Sequence, residues 1–104
     1  MTPDIDSERL RSIGALEEPA VRQIIERFFQ TLDEQLAGIA AAPDAARLLH
    51  RLRGSAANCG FPALAEACRA AELEPAAPDQ GTQLAAAARR AADAWTALLA
   101  GTAP

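Results

Sequence analysis

Apolar residues recur at three- and four-residue steps over most of the chain, the spacing of helices that bury one face. The longest such stripe is Val21, Ile25, Phe28, Leu32, Leu36 and Ile39, and it predicts a helix from about Glu18 to Ala41. Pro19 suits the first turn of that helix, and Glu17 and Glu18 suit the positive end of its dipole. A short helix is expected before it, Ser7 to Ile13, capped by Asp6 or Ser7 and stopped by Gly14. A third helix is expected from near Pro43 to Cys59, with Gly60 as its C-terminal glycine, and a fourth from Phe61-Pro62 to about Glu74, ended by Pro75. The fifth runs from about Asp79 to Ala100. Leu84, Ala87 or Ala88, Ala91, Trp95, Leu98 and Leu99 form its buried face, and Gly101 closes it. Nothing alternates as strands do. The expected fold is all-α: an antiparallel four-helix bundle with a short additional N-terminal helix, in one domain spanning residues 1–104.

The third helix carries the least ordinary pattern. At about 100° per residue, Ala45, Leu48, Leu49, Leu52, Ser55, Ala56 and Cys59 gather on one side as the core face. His50, the single histidine, falls roughly 160° from the centre of that stripe. Ala46, Arg47, Gly54, Ala57 and Asn58 share its outer face, with Arg51 and Arg53 flanking it. A glycine in a helix interior costs about 1 kcal/mol relative to alanine, and alanine is what this chain uses nearly everywhere else. Side chains lean toward the helix N-terminus, so a side chain at 54 is expected to crowd the imidazole, and Gly54 to leave it open. An exposed imidazole ringed by arginine is a nucleophile near neutral pH suited to an anionic or electrophilic group. No acid lies three or four residues from His50 on its own face, and no nucleophile stands beside it, which argues against a hydrolase with His50 as base.

Charge and composition narrow the picture. The net charge of the 104 residues is −4, which disfavours nucleic acid and anionic membrane surfaces as partners. No apolar run is long enough to span a bilayer, and the acidic N-terminus lacks the basic region of a signal peptide, so a cytoplasmic protein is expected. All ten basic residues are arginine. Cys59 and Cys68 fall on apolar helical positions and read as buried thiols in a reducing compartment. One histidine with two cysteines predicts no metal site. Phe28 and Phe29 read as core and bundle edge.

The stretch H-R-L-R-G-S-A-A-N-C-G, residues 50–60, resembles the histidine-containing phosphotransfer (HPt) domain family, whose motif is roughly H-x-L-K-G-S-[SA]-x-x-x-G. The downstream LAEACRAAE, residues 64–72, is similar to that family's L-x-x-x-C-x-x-x-E pattern. The resemblance is strongest over Ala46 to Glu74. It implies that His50 accepts a phosphoryl group from an aspartyl phosphate on a receiver domain and passes it to a response-regulator aspartate. Arg53, where the family usually has lysine, then stabilises the phosphoryl group, and Gly54 gives access to His50. It further implies a stoichiometric carrier rather than an enzyme, with no cofactor of its own and Mg²⁺ supplied by the partner. Response-regulator receivers and a hybrid sensor histidine kinase are the expected partners of a monomer. Arg47 and Arg51 offer charge to such a partner, and Ala46 and Ala57 offer flat apolar surface. The competing expectation is a helical module that binds or inhibits a receiver or kinase without being phosphorylated.

Overall fold

The computed structural model describes residues 2–15, 17–75 and 77–102. They form five helices and no strand: α1 (Ser7–Ile13), α2 (Pro19–Ala41), α3 (Ala46–Asn58), α4 (Pro62–Leu73) and α5 (Gln80–Thr102). Helix α3 packs on α4, α4 on α5, and α2 against both α3 and α5, which closes a ring of four helices around one core.

The predicted stripes turn inward. From α2 come Val21, Ile25, Phe28 and Leu32, with Leu36 and Ile39 half-buried at its far end. Helix α3 gives Leu49, Leu52 and Ala56, α4 gives Leu64, Ala65, Cys68 and Ala71, and α5 gives Leu84, Ala87, Ala88, Ala91 and Trp95. Alanine supplies much of the seam, so the backbones can approach closely. The expected core face of α3 narrows accordingly: Ala45, Leu48, Ser55 and Cys59 are half-buried rather than central. Among the described residues no polar or charged side chain is buried.

Phe61 opens α4 as its N-cap, as expected, and is also a core residue, fully buried against Phe28 and Phe29. Its ring stacks on Phe28 with centroids 5.7 Å apart and meets Phe29 edge-on at 5.0 Å. All three phenylalanines therefore form one cluster, a geometry that adds to their area burial.

Helix ends differ from expectation where a backbone detail decides. Asp6 is the cap of α1: its carboxylate accepts from the Arg9 amide at 3.1 Å. Helix α3 begins at Ala46, not Pro43, because Asp44 bends back to accept from the Ala46 amide at 3.1 Å. Gly101 does not close α5; the helix continues through it to Thr102. Gly60 ends α3 as expected, with φ +87° and the Phe61 amide donating back to Ala56 O at 2.9 Å. It also sits under α1, where a Cβ would lie 3.0 Å from Leu10 Cγ and 3.1 Å from Asp6 O. The Asp6 amide donates to Gly60 O at 2.8 Å, and the Ala63 amide to Pro3 O at 3.0 Å, so residues 3–9 strap the α3–α4 corner.

Candidate functional site

His50 projects from the middle of α3, on the face opposite Leu49 and Leu52, and its side chain is 70% exposed. The leucines fix that orientation: burying them against α4 leaves the helix no way to turn the imidazole inward. Ala46, Arg47, Arg51, Gly54, Ala57 and Asn58 are exposed around it, as the helical pattern predicts. Arg47 and Arg51 form no ion pair among the described residues, whereas Arg53 turns the other way, toward α4.

A carboxylate waits there. Glu72, on α4, places Oε2 3.0 Å from Arg53 Nη1 and Oε1 3.4 Å from His50 Nδ1. Arg53 Nη2 donates to the same Nδ1 across 2.9 Å. Two groups thus converge on one ring nitrogen, and they suit opposite tautomers. Donation from Arg53 needs a lone pair on Nδ1; a bond to Glu72 needs a proton there. The distances favour Arg53 in this arrangement, with Glu72 one short movement away. Nε2, on the far side of the ring, makes no hydrogen bond among the described residues.

Glu72 corrects the sequence reading. Within α3 there is indeed no acid beside the histidine, but the neighbouring helix supplies one, so the argument against a hydrolase loses its missing carboxylate and keeps its missing nucleophile. The signal was present. Leu64, Cys68 and Glu72 are spaced four apart on one face of α4, and the first two are fully buried. The third member of that stripe must then lie at the α3–α4 seam, where a half-buried carboxylate favours a cation beside it. Arg53, 34% exposed, provides it, and the exposed helix arginines do not.

Gly54 is also corrected in its reasoning. A Cβ built there meets nothing within 4 Å, the imidazole included. No helix packs on it and no side chain needs the room. Among the described residues nothing near Gly54 offsets the helix cost of this glycine.

Behind the pair sits Cys68, whose thiol burial pushes up to about 12. Glu72 adds to that rise and Arg53 opposes it. Burial likewise raises Cys59, against the pull of Arg9. Both thiols are free, Cys59 being only half-buried. Among the described residues no three His, Cys, Asp or Glu side chains gather to hold a metal ion, and no helix is long and apolar enough to cross a membrane. Arg9 reaches the other end of the same helix, where its Nε donates to Asn58 O at 3.1 Å and its Nη2 to Asn58 Oδ1 at 3.4 Å, a cation on the negative end of α3.

No curated protein and no solved structure matches the chain. A protein-family model does: the Hpt domain, over residues 23–101. The match takes in α3, α4 and most of α2 and α5, and leaves α1 outside it.

Proposed function

Since the chain belongs to the Hpt domain family, whose members carry phosphoryl groups in two-component signalling, we propose that His50 is the phosphoryl-accepting residue of a phosphorelay carrier. In this reading α2 to α5 are its antiparallel four-helix bundle, α1 is an added element, and the chain acts as one cytoplasmic domain and as a monomer. It takes the group from an aspartyl phosphate on a receiver domain, for example that of a hybrid sensor kinase, and yields it to a response-regulator aspartate. The receiver brings the Mg²⁺; near His50 the carboxylate of Glu72 is already paired with Arg53.

The observation that carries this reading is an imidazole exposed on one nitrogen and held on the other. In the transfer the Nε2 lone pair forms the N–P bond, the acyl-phosphate O–P bond breaks, and the aspartate leaves as a carboxylate. That attack requires the proton on Nδ1, and the phosphorylated ring is then a cation. Glu72 answers both needs by accepting from Nδ1–H and facing the new positive charge. Arg53 leaves Nδ1 for the phosphoryl oxygens, where a guanidinium offers paired donors. Gly54, Ala46 and Ala57 keep the surface low for a partner, and Arg47 and Arg51 favour an acidic receiver site.

The test is phosphotransfer from a phosphorylated receiver to wild type and to His50→Gln. The expected result is an acid-labile, base-stable label on the wild type and none on the variant. A receiver that binds but labels neither would replace this reading with that of a non-phosphorylated binding module.

A further inference from the structure

Arg53 stands one turn beyond His50 on α3. Side chains lean toward the helix N-terminus, so its guanidinium reaches back to the imidazole. There it makes two contacts at once. Nη1 holds Glu72 Oε2 at 3.0 Å, and Nη2 donates to His50 Nδ1 at 2.9 Å. The guanidinium is planar, with its donors in a fixed fork. Glu72, only 17% exposed, pins one prong and thereby aims the other. The ammonium of a lysine has no such fork, so this double hold belongs to arginine.

The hold decides where the ring keeps its proton. Arg53 has donors only, so the Nδ1 it faces must offer a lone pair. A neutral imidazole with a lone pair on Nδ1 carries its proton on Nε2. Nε2 is the nitrogen on the outer side of the exposed ring, and in this tautomer it has no electron pair to give. The nitrogen that keeps its pair is covered by Arg53. The resting site is open to solvent and chemically closed. Glu72 Oε1, 3.4 Å from Nδ1, favours the reactive tautomer once Arg53 withdraws.

We propose that Arg53 is a latch on the tautomer of His50, released by the anion that the donor brings. The inference rests on the phosphocarrier reading and adds the resting state of its site. An incoming phosphoryl group offers Arg53 paired oxygens in place of one ring nitrogen. As the guanidinium turns to them, the ring proton passes through water from Nε2 to Nδ1, where Glu72 accepts from it. Nε2 gains the lone pair, and the site neither takes up nor loses a proton. His50 is thus reactive toward anionic phosphoryl donors and held back from neutral electrophiles. Arg53 is a positioning residue before transfer as well as a donor to the phosphoryl group during it.

The experiment compares wild type, Arg53→Met and Arg53→Met/Glu72→Gln at about pH 8, the upper edge of the imidazole range. Methionine keeps helix propensity and removes the donors, and circular dichroism checks the fold. Nitrogen–proton NMR correlations of the single histidine read the tautomer directly. The proton is expected on Nε2 in wild type, shifted toward Nδ1 in Arg53→Met, and back toward Nε2 in the double variant. Two electrophiles then read reactivity. Diethyl pyrocarbonate is neutral: Nε2 bonds to its carbonyl carbon, a C–O bond breaks, ethyl carbonate leaves, and the ring proton passes to water. Its rate follows the fraction of reactive tautomer. It is expected to rise about three- to tenfold in Arg53→Met, the scale of one hydrogen bond, and to fall back in the double variant. Phosphoramidate carries an anionic phosphoryl group: Nε2 bonds to phosphorus, the P–N bond breaks, and ammonia leaves. Its rate is expected to fall in Arg53→Met. A proton on Nδ1 in wild type, an unshifted tautomer in Arg53→Met, a gain that survives in the double variant, or both rates moving the same way overturns the latch. A wild type that takes no label from a phosphorylated receiver overturns the carrier reading instead, and leaves the tautomer result standing.

Discussion

Helix α3 meets two glycines, Gly54 in its middle and Gly60 just past its end, and the molecule treats them oppositely. Around Gly60 every direction is occupied. Its backbone is left-handed, Leu10 and Asp6 press on it, and Phe61 follows it into the core. Around Gly54 nothing is near. One glycine is explained by the fold and the other is not, although both stand in the same short motif. A glycine whose reason lies inside the molecule is explained by the fold; Gly54, like the other helical glycines with open space around them, is not.

The comparison can be broken at its structural end first. Phe61→Ala removes the ring that packs on both Phe28 and Phe29, and the expected loss is about 3–5 kcal/mol, read by urea denaturation of the helical circular dichroism signal. A loss under about 1 kcal/mol would mean that α2 closes over the gap and the corner is no anchor.

The glycines themselves sharpen it. Gly60→Ala adds a Cβ at positive φ and against Leu10, for an expected loss of about 1–3 kcal/mol. Gly54→Ala is expected to change stability in the other direction, a gain of about 1 kcal/mol, while slowing phosphotransfer with a receiver. Equal signs in denaturation would erase the distinction drawn between the two positions.

The smallest effect concerns pH. Both thiols have raised folded values, Cys68 to about 12 and Cys59 in the same direction. An unfolded cysteine loses its proton near pH 9 and the folded Cys68 does not, so between these values the native state binds more protons. The stabilisation is complete below pH 9 and is lost as pH rises toward 12. The chain has no tyrosine and no lysine, so few other side chains titrate in that window. Denaturation midpoints at pH 8 and pH 10.5 should therefore fall in the wild type, and fall less in a Cys59→Ala/Cys68→Ala variant.

Legibility followed the range of the interaction. The helix spans, the Leu49–Leu52 core face and the outward turn of His50 were readable because a 3.6-residue period is a local property. The ends at Ala46 and Thr102 were less so. Asp44 accepting from the Ala46 amide through its side chain, and Gly101 remaining helical, depend on competition between neighbours that a period does not record. Phe61-Pro62 opens α4 as the sequence indicated, but the burial of Phe61 was not legible, because nothing in its flanks tells that α2 brings two rings to meet it.

By itself, then, the sequence determined five helical segments, the exposed histidine with its arginines, and a motif that points to one chemistry. The tertiary structure alone decided that Glu72 meets His50 and Arg53 from another helix, and that Gly54 has open space around it. The physical reason is the same in each case. A face is set by spacing along one helix, whereas a partner or its absence is set by how two helices pack.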